Sequence, residues 1–168
     1  MILEAIRADL VELSHDAIVN AANRSLLGGG GVDGAVHEAA GPELRAACEA
    51  LGGCETGQAA ITPGFRLPAK WVIHAVGPVW RGGDRGEDEL LASCYSRSLE
   101  LAAERGLELV AFPSISTGAY RFPPDRAAKI AVGAVRAFAP PDNPVRQVTF
   151  CCFLERDLEI YRALLAGA

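Results

Sequence analysis

Residues 20–34 read Asn-Ala-Ala-Asn-Arg-Ser-Leu-Leu-Gly-Gly-Gly-Gly-Val-Asp-Gly. Four consecutive glycines serve neither a core nor a helix, because glycine has no side chain to pack and loses the most backbone freedom on folding. A glycine run does bring bare backbone N–H groups close to an anion such as a phosphate. Two amides, Asn20 and Asn23, and one carboxylate, Asp33, flank the run. The stretch therefore reads as a phosphate cradle, with polar groups aimed at whatever hangs from the phosphates.

The chain around it is 168 residues long, the size of one domain, and residues 1–168 are read as a single unit. Such a chain buries roughly 68–70% of its unfolded surface and needs no disulfide staples. The net charge is −5, which argues against strong non-specific binding to nucleic acid or to an anionic membrane, since both require clustered positive charge. No apolar run approaches the ~20 residues of a membrane span. The N-terminal segment lacks a basic stretch followed by an apolar one, so no secretory signal is read there. The five cysteines, Cys48, Cys54, Cys94, Cys151 and Cys152, include no C-x-x-C pair. They are expected to be buried free thiols in a reducing cytoplasm, with Cys151 and Cys152 facing opposite sides of a sheet.

Short apolar runs rich in β-branched residues predict strands at 2–6, 17–19, 59–62, 71–76, 109–112 and 147–153. Helical spacing predicts helices at 35–40, 43–51, 87–105, 124–138 and 156–165. Pro124 suits a first helical turn and Gly106 a helix stop. The later strands are almost wholly apolar, as when helices cover both faces of a sheet. The expected fold is α/β, a three-layer α/β/α sandwich around a mixed, mostly parallel sheet. Ligands of such sheets bind where loops leave the carboxyl ends of the strands.

A literal G-x-G-x-x-G occurs at Gly29, Gly31 and Gly34, but the dinucleotide-binding fold places that motif directly after its first strand. A standard dehydrogenase is therefore disfavoured, and no G-x-x-x-x-G-K-[ST] or G-x-S-x-G is present. A second loop, 113–120, is built from small residues and Gly118 and follows the strand at 109–112. Two such loops at strand ends suggest one ligand with a diphosphate held between them. Asp9, three residues before Glu12, fits a helix N-cap with a capping box, or a carboxylate that accepts a hydrogen bond from an adenine amino group. Asp33 is open to a capping role for a helix that starts at Gly34, and Asn20 to satisfying buried backbone. His15, His37 and His74 have no metal-ligand spacing, and His74 reads as a hydrogen-bonded core histidine.

Together these segments resemble the macrodomain family, in particular its MacroD-type branch. The resemblance is carried by 16–23 (Asp-Ala-Ile-Val-Asn-Ala-Ala-Asn) and 27–34 (Leu-Gly-Gly-Gly-Gly-Val-Asp-Gly). It continues through Thr-Gly-Gln-Ala at 56–59, Leu-Pro-Ala-Lys at 67–70 and Val-Ile-His-Ala-Val-Gly-Pro at 72–78. Pro-Ser-Ile-Ser-Thr-Gly at 113–118 and Phe-Leu-Glu-Arg-Asp at 153–157 complete it. The resemblance implies a pocket for ADP-ribose, removal of mono-ADP-ribose from Asp and Glu side chains of proteins, and hydrolysis of O-acetyl-ADP-ribose, with no metal or cofactor. ADP-ribose on nucleic-acid ends is a further candidate substrate, and a monomer is expected. The alternatives are a module that binds ADP-ribose without cleaving it, or a dehydrogenase that binds intact NAD.

Carried over by position, Asp9 and Leu10 lie at the adenine end, with Phe153 packing near the ring. Gly30, Gly31 and Val32 contact one phosphate through their backbone, and Ser116, Thr117, Gly118 and Ala119 hold the other. Asn23 bonds the distal ribose, Asp33 orients or activates water unless a phosphate oxygen of the substrate activates it instead, and Tyr120 walls that ribose. Asn20 belongs to the binding set as a support for the loop. The chain departs from the family pattern at Ala8 and Leu10, where Gly and Ile are usual, and at Arg121, where Gly is common.

Overall fold

The computed structural model describes residues 1–167. Six strands form one sheet: β1 (Ile2–Arg7), β2 (Ala17–Ala22), β3 (Ala59–Pro63), β4 (Trp71–Val76), β5 (Leu109–Phe112) and β6 (Gln147–Cys152). Their order across the sheet is β1-β6-β5-β2-β4-β3. All neighbours run parallel except the edge strand β3, which is antiparallel to β4. The carboxyl ends of β1, β6, β5, β2 and β4 therefore lie along one edge, where Arg7, Cys152, Phe112, Ala22 and Val76 hand over to loops.

Alternation along each strand splits the core in two. Ala17 and Val19 of β2, with Ile73 and Ala75 of β4, face α3 (Glu87–Glu104), α4 (Pro124–Ala137) and α5 (Glu155–Ala166). Ile18 and Ala22, with Val72 and Val76, face α1 (Gly31–Ala40) and α2 (Pro42–Leu51). Cys152 goes to the first layer and Cys151 to the second, one to each side as expected. All five cysteines are free; Cys54 is only half-buried, unlike the other four.

The helix ends follow local chemistry. Pro124 opens α4, and Gly106, at φ 68°, closes α3 with its N–H on Ala103 O while Leu107 N–H reaches Ala102 O. The sheet is mixed and mostly parallel, with helices on both faces, as the sequence reading expects. Two boundaries differ in a way that matters. β2 continues past residue 19 to Ala22, carrying the polar Asn20 inside the sheet, and α1 begins at Gly31, not at 35. Among the described residues no helix is long and apolar enough to cross a membrane.

Candidate functional site

The loop after β2 is tied down by Asn23. Its amide oxygen accepts from Leu26 N–H at 3.1 Å and from Ser25 Oγ at 2.7 Å. Its Nδ2 donates to Gly28 O at 2.9 Å, leaving one amide hydrogen unspent. Asn23 thus holds the glycine loop and retains a single donor for a ligand. Gly30 is the N-cap of α1, and Gly31, the first helical residue, has φ 59°, a left-handed value that glycine adopts without steric cost. The first N–H groups of a helix have no partner within it, so those of Gly31, Val32 and Asp33 are free to meet an anion at the positive end of the helix dipole. The glycine run is therefore half loop and half helix start, a stronger anion seat than a loop alone.

Because α1 starts at Gly31, Asp33 lies in its first turn and does not cap a helix beginning at Gly34. Its side chain turns inward, 5% exposed, and Oδ1 accepts from Asn20 Nδ2 at 2.8 Å. Asn20 Nδ2 also lies 3.2 Å from His74 Nδ1, and His74 Nε2 lies 2.9 Å from Thr62 Oγ1. His37 Nε2 is 3.4 Å from Asp33 Oδ1. Burial, and then the neighbouring His37, push the His74 imidazole down to about 4.

The second loop, after β5, is folded on itself: Phe122 N–H bonds Ser116 O at 2.9 Å and Arg121 N–H bonds Gly118 O at 3.0 Å. Ile115 and Phe122 are buried anchors, and Ser116 and Arg121 take left-handed φ values of 67° and 62°. Trp80 N–H bonds Tyr120 O at 2.8 Å, which joins this loop to the one after β4. The loop after β4 is itself clamped by the buried Glu87, whose carboxylate accepts from the N–H groups of Arg81, Gly83 and Arg85. Burial works to raise the Glu87 pKa, but those donors outweigh it and hold the group down to about 2.

Between the two loops lies a cleft of about 310 Å³, lined by Asn23, Gly29, Gly30, Gly31, Val32 and Asp33 on one side and by Ser114, Ile115, Ser116, Gly118, Ala119 and Tyr120 on the other. Ala21, Ala22 and Gly77 form the remaining wall. Of the residues singled out from sequence, nine meet here: Asn23, Gly30, Gly31, Val32, Asp33, Ser116, Gly118, Ala119 and Tyr120. Thr117 does not line it; its hydroxyl donates back to Ser114 O at 3.0 Å. Asn20 lies beneath, fully buried, on Asp33.

Asp9, Leu10 and Phe153 stand outside the cleft, where β1 and β6 end side by side in register, Arg7 opposite Cys152. Asp9 is exposed and caps a 3-10 turn, Leu10–Glu12, through Oδ1 and Val11 N–H at 3.2 Å. The cap is real, but it closes a single turn, and the expected capping box does not form: the Asp9 carboxylate takes Val11 N–H, while Glu12 N–H bonds the Asp9 backbone oxygen at 3.1 Å. Leu10 is a core residue at 7% exposure, whereas Phe153 is 79% exposed, an aromatic face open to a partner. Arg121 is solvent-exposed. Gly77, Ser114 and Ile115 were missed as cleft residues, although the first lies within the 72–78 segment and the other two within the 113–118 segment already marked from sequence. Among the described residues no group of three His, Cys, Asp or Glu side chains is placed to hold a metal.

An α/β/α sandwich whose glycine loop and second loop face each other across a cleft at the strand carboxyl ends belongs to the class of open α/β sheets that bind ligands at that edge. The macro domain model matches residues 19–131. A macro domain-containing protein of Chlorobaculum tepidum is 58% identical over 99% of this chain and 97% of its own length. An O-acetyl-ADP-ribose deacetylase of Klebsiella pneumoniae is 54% identical over 98% of this chain and 96% of its own. Among solved structures, the Oceanobacillus iheyensis macrodomain with ADP superimposes at a TM-score of 0.91, with 43% identity over 96% of this chain and 88% of that one. The Trypanosoma brucei macrodomain in complex with ADP-ribose does so at 0.90, with 40% identity over 97% of this chain and 68% of that one. The chain belongs to the macro domain family.

Proposed function

We propose that the cleft binds ADP-ribose and that the protein is a MacroD-type hydrolase of ADP-ribose esters. Its substrates in this reading are mono-ADP-ribose on Asp and Glu side chains and O-acetyl-ADP-ribose. The observation that carries the reading is the placing of a buried carboxylate, Asp33, in the wall of a cleft whose two sides are anion-binding loops. The Klebsiella relative's name and the ligands of the two solved macrodomains support the same ligand class.

In this reading one phosphate sits on the free N–H groups at the start of α1, and the other in the loop that holds Ser116, Gly118 and Ala119. The adenine extends toward Asp9, Leu10 and Phe153 at the ends of β1 and β6. The distal ribose lies between Asn23, Asp33 and Tyr120. Water that attacks the anomeric carbon of an Asp or Glu ester expels the carboxylate, and water that attacks the carbonyl of an acyl ester expels the ribose hydroxyl, which takes up the proton; a held water with modest base assistance serves either cleavage. Asp33 has one oxygen committed to Asn20. The other faces Gly29 and Asn23, since a Cβ on Gly29 would stand 3.5 Å from both Asp33 Oδ2 and Asn23 Nδ2. That second oxygen is the one we assign to the water. The free thiols support a reducing, cytoplasmic setting.

The test is release of ADP-ribose from a glutamate-modified protein by the wild type, Asp33→Asn and Asp33→Ala, with ADP-ribose affinity measured by calorimetry. Release by the wild type and a large loss in both variants at preserved affinity is the expected result. Binding without release by any of the three makes the protein a reader of ADP-ribose instead.

A further inference from the structure

Asn20 and His74 are register partners on the adjacent strands β2 and β4, and both are fully buried. An amide NH2 has two hydrogens, and those of Asn20 have two acceptors: Asp33 Oδ1 at 2.8 Å and His74 Nδ1 at 3.2 Å. The orientation of the amide is dictated by chemistry, because turning it over would set its oxygen against a carboxylate that only accepts. His74 Nδ1 must then be the unprotonated nitrogen, and Nε2–H donates to Thr62 Oγ1 at 2.9 Å. The other titratable groups facing this imidazole are Cys48, with Sγ 3.7 Å from Nε2, and His37, with ring centroids 6.4 Å apart. Asn20 Oδ1 has no partner, so the two N–H contacts alone hold the amide in place.

We propose that His74 is a positioning residue for the reaction: held by Thr62 in one tautomer, it fixes Asn20, and through Asn20 it fixes Asp33 Oδ1 so that Oδ2 is presented to the cleft. This rests on the hydrolase reading of Asp33. Neither His74 nor Thr62 lines the cleft, so neither is asked to touch substrate. The chain Thr62–His74–Asn20–Asp33 runs across three neighbouring strands to the first turn of α1. Its geometry is therefore set by sheet register and not by the mobility of a loop.

The test compares His74→Asn with His74→Leu. The two side chains share one branched skeleton of non-hydrogen atoms, but only Asn keeps an acceptor near the Nδ1 position. His74→Leu is expected to lower kcat by roughly 10- to 100-fold, the cost of a misplaced group remote from the chemistry. ADP-ribose affinity should stay within about threefold, and His74→Asn should recover most of the turnover. The Asn20 side-chain amide protons, buried and bonded to Asp33 and His74, should be protected from exchange in the wild type, lose protection in His74→Leu and keep it in His74→Asn. Equal turnover in the two variants, or an Asn20 amide unchanged in His74→Leu, overturns the proposal. Should His74→Leu fail to fold, Thr62→Val decides. It should lower kcat in the same direction and alter the nitrogen shifts of the His74 imidazole, and no change in either sinks the idea. Asp33→Ala is run in parallel. If it keeps full turnover, the base reading of Asp33 fails by itself, and amide exchange still decides whether His74 holds Asn20.

Discussion

The Ser116 hydroxyl occupies the place that a side chain on Gly77 would need. A Cβ built on Gly77 would fall on Ser116 Oγ and come within 2.7 Å of the Ile115 side chain. The loop after β4 and the loop after β5 are thus in contact with no room for a methyl, and Gly77 is a wall of the cleft because it is bare. Gly77→Ala should push the second loop outward. The expected result is a stability loss of about 1–3 kcal/mol from overpacking, with ADP-ribose affinity reduced at least as much in proportion. Thermal unfolding and calorimetry check the two parts, and wild-type affinity in this variant would remove Ser116 from the binding site.

The adenine end makes a separable prediction. Asp9→Ala removes the cap on Val11 N–H, which costs about 0.5–2 kcal/mol of stability, and also removes the carboxylate that the proposed function sets against the adenine. Asp9→Asn keeps the cap and weakens only the charge-assisted contact. ADP-ribose affinity should fall in the order wild type, Asn, Ala, whereas ribose 5-phosphate, which lacks adenine, should bind all three alike. Phe153→Ala should follow the same pattern. Equal loss for both ligands would mean that the loops have moved and that Asp9 does not read the base.

The layer order and the cleft were legible in the sequence because they rest on local signals: apolar alternation, the glycine run, and small residues after a strand. Cys151 and Cys152 were placed on opposite faces by alternation alone. What was not legible depends on partners far along the chain. Asn20 ended the apolar run and cut β2 short, because nothing local shows that His74 and Asp33 would satisfy its amide inside the sheet. Helix propensity discounts glycine and so predicts a start at 35, although Gly31 and Gly34 are tolerated in the first turn of α1, which faces the cleft. Glu87 gave no signal at all, because its three donors are backbone N–H groups whose convergence is a property of the folded loop.

Arg121 is a non-glycine residue at φ 62°, a conformation that crowds an L side chain. Its side chain is exposed, so little packing is lost by removing it. Arg121→Gly should therefore stabilise the fold by up to about 1 kcal/mol, the relief of backbone strain less the greater freedom that glycine gives the unfolded chain. A higher midpoint in thermal unfolding checks this. A lower midpoint would show that the guanidinium makes contacts that outweigh the strain. Turnover on a glutamate-modified protein in the same variant separates a role in recognising the acceptor protein from a purely local one, since O-acetyl-ADP-ribose presents no such protein surface.

Acid should unfold the protein through two distinct windows. His74 titrates near 6.5 when exposed and is pushed down to about 4 by burial and by His37. The folded state therefore holds it neutral while the unfolded chain takes up a proton, so its share of stability is full above pH 6.5 and lost as pH falls toward 4. That share is at most about 3 kcal/mol. Glu87 behaves in the same direction but lower. Its ordinary value of 4.5 is depressed to about 2 by the N–H groups of Gly83, Arg81 and Arg85, so its share is present above pH 4.5 and lost between there and 2. The unfolding midpoint of the wild type should decline in both windows. His74→Asn should shrink the upper one, in which His15, also held below its ordinary value by burial, keeps a share, and Glu87→Gln should flatten the lower one, each at a lower midpoint at pH 7. Hydrogen exchange at the amides of Arg81, Gly83 and Arg85 should rise in Glu87→Gln while the Asn20 amide stays protected. A Glu87→Gln protein with an unchanged lower window would mean that the loop after β4 is held by Trp80 and Tyr120 and not by the carboxylate.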